Sequence, residues 1–106
     1  MLDLASVNNA YYEIKLIDGT LLKLKRPTQA MQNTLFQLKE AGDDAMNKLL
    51  DLFVRIMNRN NEGKSFTSED FEDYDIALTT LVIKDYFEFW SKEVMQLVNF
   101  QQSQEK

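Results

Sequence analysis

The chain has 106 residues, contains neither histidine nor cysteine, and carries a formal net charge of −5 at pH 7. Without imidazole or thiol groups it has no cysteine nucleophile, no disulfide, no histidine general base and no thiolate or imidazole zinc ligand. This length and a hydrophobic fraction of 44% predict one folded domain over 1–106, with frayed ends at 1–10 and 101–106. Because so much catalytic chemistry is excluded, we predict that the domain binds a partner rather than catalyses a reaction, and that it needs no cofactor.

Hydropathy argues against a membrane protein. The most apolar stretch, 76–90, is interrupted by three charged residues, whereas a spanning helix needs about 18 consecutive apolar ones. The first ten residues have no basic segment followed by an apolar core, as a signal peptide would. We therefore expect a protein of the cytoplasm.

Residues 11–26 alternate apolar and charged side chains on both sides of Asp18 and Gly19, which is typical of a β-hairpin. A two-residue loop would pair apolar with charged side chains across the strands. A three-residue loop at 17–19, with Gly19 in the left-handed conformation, pairs like with like. The predicted pairs are Leu16 with Thr20, Ile14 with Leu22, Tyr12 with Leu24 and Glu13 with Lys23.

A first helix is predicted over 29–40, because Pro27 ends the second strand and Thr28 is a suitable N-cap. Gly42 ends this helix. Its apolar stripe consists of Met31, Leu35 and Leu38.

A second helix is predicted to extend to about Asn58, with Asp43 or Asp44 as its cap. A polar turn containing Gly63 follows. The apolar stripe of this helix is predicted to consist of Met46, Leu49, Leu50, Phe53, Ile56 and Met57.

Segment 58–69 has the ligand spacing of a calcium-binding helix–loop–helix. Its chemistry fits poorly, because Asn58 stands in place of the usual first Asp and Ser65 in place of an apolar residue. A helix end, a glycine turn and a new helix start account for every residue. We therefore predict no metal site.

The next helix start is predicted at Thr67, which forms a capping box with Asp70 between the paired aromatic residues Phe66 and Phe71. The acidic run 69–75 complements the dipole of this helix, which is a plainer role than a catalytic carboxylate pair or a cation site.

The last helix is predicted to continue from about Tyr74 to Phe100 after a pause at 73–75. Leu78, Leu81, Val82 and Tyr86 are assigned to one side of it, and Ile83, Phe87, Trp90, Val94 and Leu97 to another. A helix that is apolar on two sides is either central in its domain or shared with a partner. The predicted partner-binding residues are Phe87, Trp90, Val94 and Leu97.

Four basic residues cluster on the hairpin near Tyr11 and Tyr12, namely Lys15, Lys23, Lys25 and Arg26. A surface for single-stranded nucleic acid would combine such charges with stacking aromatic rings. Lysines also guard strand edges against unwanted pairing, and the acidic net charge disfavours phosphate binding.

The order of elements resembles the tail assembly chaperones of bacteriophages with long non-contractile tails, especially those of Gram-positive hosts. The resemblance rests on the hairpin Y-E-I-K-L-I-D-G-T-L-L-K-L-K-R-P-T, two helices, and an F-x-x-x-D-F segment that leads into an aromatic helix. It implies an α+β fold in which an N-terminal β-hairpin packs on three to four α-helices, the last of them long.

The resemblance further implies a protein of the host cytoplasm, absent from the mature virion, that keeps the tape-measure protein soluble and extended during tail tube assembly. Expected partners are the tape-measure protein, the tail tube protein, further copies of the chain and a longer frameshifted form. Two alternatives remain: a structural virion component such as a head–tail connector, and a small nucleic-acid-binding regulator.

Overall fold

The computed structural model describes the backbone of residues 10–38, 40 and 42–104, and the side chains of this part as far as Lys92. It contains a two-stranded antiparallel hairpin and α-helices, which confirms the α+β class. The strands are β1 (Tyr12–Lys15) and β2 (Leu21–Leu24), and the helices are α1 (Gln29–Leu38), α2 (Ala45–Met57) and α3 (Ile76–Gln104). Most of the predicted frayed ends lie outside the described residues. Within the described part, the helices are too short or too polar to cross a membrane.

The hairpin has the predicted register, with Tyr12 opposite Leu24, Glu13 opposite Lys23 and Ile14 opposite Leu22. The backbone N–H of Leu16 donates to the Thr20 carbonyl (2.8 Å), which closes the three-residue loop. Gly19 has a φ of 92°, as the bulged turn requires. The Thr20 N–H donates to the Asp18 carboxylate and thereby lowers the pKa of Asp18.

Replacing Gly19 by alanine is expected to reduce the free energy of unfolding by about 1 kcal/mol, because an L side chain is strained at positive φ. An added Cβ would meet no atom within 4 Å, so the loss measures backbone strain alone. Asparagine tolerates this conformation better, and Gly19→Asn should lose less in urea denaturation. Equal losses for the two variants would contradict the strained-turn explanation.

The outer edge of β2 is covered by the segment that follows α2. Lys25 N–H donates to the Arg59 carbonyl (3.0 Å) and Asn61 N–H to the Lys23 carbonyl (2.9 Å). The backbone of Lys23 also donates to the Glu62 carboxylate (3.2 Å). The hairpin is therefore attached to the helical part by backbone hydrogen bonds as well as by its apolar face.

The core lies between the inner face of the hairpin and the three helices. Its buried apolar residues are Leu16, Leu22, Leu24, Met31, Leu52, Phe53, Ile56, Met57, Phe71, Ile83, Tyr86 and Trp90. The predicted stripe of α2 is partly wrong, because Leu52 is fully buried whereas Met46 and Leu50 are 57% and 38% exposed. The core face of α2 is thus rotated toward Leu52.

One of the two predicted caps for α1 and α2 is confirmed. The Thr28 hydroxyl accepts from the Met31 N–H (3.2 Å) at the start of α1, which ends at Leu38, two residues earlier than predicted. Asp44 is the N-cap residue of α2 but makes no capping hydrogen bond with its side chain. The Asp44 carboxylate instead accepts from the Asn47 amide (3.2 Å), so Asp44 stands at the predicted cap position without capping the helix by its side chain. A 3₁₀ turn, Gly42–Asp44, leads into this helix.

The capping box at Thr67 is present, with the Thr67 N–H donating to the Asp70 carboxylate (2.8 Å). The ring centres of Phe66 and Phe71 lie 5.3 Å apart. What begins here is a short 3₁₀ turn, Ser68–Phe71, rather than the last helix. The helix α3 has its own cap, since Asp75 accepts from the Leu78 N–H (2.8 Å).

The described part of α3 buries one face, formed by Thr79, Ile83, Tyr86 and Trp90. These residues recur at helical spacing, so the assignment of Tyr86 to a different side from Ile83 and Trp90 was wrong. The Tyr86 hydroxyl donates to the Lys25 carbonyl, and burial raises the pKa of Tyr86. Leu81, by contrast, is 61% exposed.

Candidate functional site

The predicted residues Phe87 and Trp90 line a groove between α1 and α3, which we call the α1–α3 groove. The volume of this groove is about 540 Å³. Its lining consists of Arg26, Pro27, Gln32, Leu35, Phe87, Trp90 and Ser91. The side chains of Val94 and Leu97 lie outside the described residues. The structure therefore brings two of the four predicted residues together, and their role in binding a partner stays a prediction.

Trp90 forms the floor of the α1–α3 groove rather than a projecting anchor. It is 3% exposed and its ring packs edge-on against Phe89 at 5.0 Å. The guanidinium of Arg26 lies 5.5 Å from the centre of the indole ring. Phe87 is half-buried and contacts Tyr86 edge-on at 5.3 Å. Both aromatic residues are held in place by the core.

Phe36 provides apolar surface beside this groove. It is 64% exposed and follows Gln32 by one helical turn, which places both on the same side of α1. Phe36 was not predicted as a surface residue, because Met31, Leu35 and Leu38 already complete an apolar stripe. A large aromatic residue outside that stripe was the available signal.

A second groove lies between α2 and the start of α3, and we call it the α2–α3 groove. Its volume is 390 Å³. Its lining consists of Met46, Asn47, Leu49, Leu50, Ser68, Phe71, Glu72, Tyr74, Ile76 and Thr79. Met46, Leu50 and Ile76 are 57%, 38% and 49% exposed, whereas Phe71 is buried beneath them. This groove was not predicted from the sequence, because Met46 and Leu50 were placed in the apolar stripe by which α2 was expected to face the core.

The two grooves differ in charge. The α2–α3 groove has Glu72 in its lining and no lysine or arginine, whereas Arg26 lines the α1–α3 groove. Asp51 lies in the adjoining depression with Leu50 and Ser68 and forms an ion pair with Arg55 (3.1 Å). The lining of the α2–α3 groove therefore carries one negative charge, that of Glu72, while the charge of Asp51 beside it is balanced by Arg55.

The basic hairpin does not present both of its tyrosines for stacking. The Tyr12 ring packs edge-on against Tyr86 and Phe89, at 5.5 Å in each case. Its hydroxyl donates to the Asp85 carboxylate. The pKa of Tyr12 is raised mainly by burial and, to a smaller extent, by the hydrogen bond to Asp85 and the negative charge of that residue. A ring engaged in this way is not available to a nucleobase.

The amide side chains of the suspected calcium loop bind backbone groups. Asn58 Oδ1 accepts from the Phe66 N–H (2.7 Å) and Asn60 Oδ1 from the Lys64 N–H (2.9 Å). Both oxygens therefore already organise the turn. No group of three or more acidic side chains arranged for a metal ion is found among the described residues.

Comparisons with known proteins give no identification: no family model matches the chain, and neither the curated proteins nor the solved structures contain a significant match.

Proposed function

We propose that this chain is a non-enzymatic assembly chaperone of the bacteriophage tail type, which binds the tape-measure protein and keeps it soluble and extended while the tail tube assembles. The observation that carries the proposal is the open, aromatic-floored α1–α3 groove beside the exposed Phe36. We infer the identity of the client from the resemblance of the sequence to such chaperones.

The groove suits a helical client. An amphipathic helix binds by placing its apolar face in a hydrophobic groove, and the α1–α3 groove offers Leu35 from α1 together with Phe87 and Trp90 from α3. The proposal includes Val94 and Leu97, whose side chains lie outside the described residues, as further contacts of the client.

Many weak contacts along one long client would add through effective concentration. We propose that several copies, together with a longer frameshifted form, coat the client in the host cytoplasm. They leave as tube subunits, including the tail tube protein, assemble, so the chaperone is absent from the finished virion. Reversible binding at each groove allows this replacement.

The test is co-expression with the tape-measure product. The wild-type chain should raise the soluble fraction of the client several-fold, and Phe36→Asp should remove most of that gain, because a charge beside the groove opposes apolar docking. Leu81→Asp is the matched control, since Leu81 is 61% exposed and lines neither groove.

A client that is equally soluble with and without the chain would overturn the proposal. Mass spectrometry of purified particles addresses the alternative of a structural virion component. The proposal expects the chain to be absent from particles, whereas a head–tail connector would be retained in them.

A further inference from the structure

We propose that the α2–α3 groove is a second docking site, which takes an amphipathic helix whose apolar side chains are flanked by lysine or arginine. The site is separate from the α1–α3 groove. The nearest lining residues of the two grooves on α3, Thr79 and Phe87, lie 8 residues apart, or roughly 12 Å at the helical rise. The inference does not depend on the identity of the client.

The first argument is the apolar surface. Met46 and Leu50 are one turn apart on α2 and form a short ridge, and Ile76 faces them from α3 across the groove. All three are exposed by more than a third, so they leave apolar surface that a partner can bury. Helices pack by placing the ridges of one into the grooves of another, and a ridge beside a groove is the surface that a further helix needs.

The second argument is charge. Glu72 belongs to the groove lining and Asp51 to the adjoining depression, while Asp75 directly precedes Ile76 at the start of α3. Further exposed carboxylates stand close in sequence to the lining residues: Asp44 is two residues before Met46, Glu69 follows Ser68 and Asp73 follows Glu72. Among the described residues, the one ion pair near this groove joins Asp51 to Arg55, so the rim charge comes from the other carboxylates.

These two features select the occupant. Apolar side chains that fit between Leu50 and Ile76 would bring neighbouring cations against the acidic rim, where opposite charge favours association and like charge opposes it. Nucleic acid and acidic segments are disfavoured at this rim. A second copy of the chain is a poorer fit, because each copy carries a net charge of −5 and the two would repel overall.

The experiment uses the full chain and two fluorescein-labelled peptides with the same helical leucine pattern, one with lysine and one with glutamate at the polar positions. Fluorescence anisotropy should show binding of the lysine peptide at least about tenfold tighter than that of the glutamate peptide, with the difference shrinking as salt rises. Equal affinities would overturn the proposal.

Variants locate the site. Ile76→Ser and Glu72→Lys should each weaken binding of the lysine peptide by about tenfold, since they remove apolar surface and reverse a rim charge. The matched controls are Leu21→Ser and Glu13→Lys, both exposed on the hairpin, and they should retain binding. Phe36→Asp should also retain it, which separates this site from the α1–α3 groove.

Two results would refute the assignment. If Glu13→Lys weakens binding as much as Glu72→Lys, the peptide responds to net charge and not to the groove. If sedimentation shows self-association that Ile76→Ser abolishes and the lysine peptide does not disrupt, the groove belongs to a second copy. Phe36→Asp is measured both in this peptide assay and in the co-expression assay. A negative result for the lysine peptide would therefore not bear on the chaperone proposal, which is tested by the solubility of the client.

Discussion

Replacing Phe53 by alanine is expected to lower the free energy of unfolding by about 4 kcal/mol. The Phe53 side chain is fully buried, and its ring lies 4.9 Å from that of Phe71 and 5.8 Å from that of Tyr74. It therefore joins α2 to the segment that leads into α3. Truncation removes these contacts and leaves a cavity that two neighbouring rings cannot fill without shifting.

Urea denaturation measures this loss, and the single tryptophan, Trp90, is buried and can report unfolding by its fluorescence. A domain of this size is stable by about 5 to 15 kcal/mol, so the variant should lose a large share of its stability. Met46→Ala is the control on the same helix, because Met46 is 57% exposed. Similar losses for the two variants would show that Phe53 is not a central core residue.

The hairpin was predictable to the residue because alternation in a strand has a period of two. Shifting the loop by one residue exchanges the two faces of one strand, so the pairing of Ile14 with Leu22 permits a single register. The caps at Thr28 and Thr67 were predictable for a similar reason, since each needs residues only three positions apart.

The core faces of the helices were less predictable. On α2, apolar residues occupy more of the circumference than one neighbour can cover, so periodicity alone does not decide between Leu52 and Met46. The positions of the other strands and helices decide which of these residues is buried. Leu52 is buried among these elements, whereas Met46 and Leu50 are left exposed beside Ile76.

The same limit applies to the candidate site. Phe87 and Trp90 were predicted as a surface from their unusual aromatic density, and the structure places them in one groove. It also makes Trp90 part of the core, where Arg26 from the segment after β2 lies beside its ring. Contacts between residues this distant in sequence carry no local pattern.

Replacing Asn60 by alanine is expected to lower the free energy of unfolding by about 2 to 3 kcal/mol, since three hydrogen bonds of a buried side chain are lost. Asn60 is 6% exposed. Its Nδ2 donates to the carbonyls of Met57 and Lys64, each at 2.8 Å, and its Oδ1 accepts from the Lys64 N–H. Its backbone also forms the bridge to Leu24, so the turn and the edge of the hairpin depend on the same residue.

The neighbouring Asn61 supplies the control for this variant. Asn61 is exposed and takes part through its backbone, which donates to the Lys23 carbonyl, so Asn61→Ala should change stability by less than about 0.5 kcal/mol. Asn60→Asp should be as damaging as Asn60→Ala, because a carboxylate keeps the acceptor but cannot donate to the two carbonyls. A well-tolerated Asn60→Asp would mean that the donor bonds contribute little. The order of the three variants in urea denaturation therefore separates the amide's two functions.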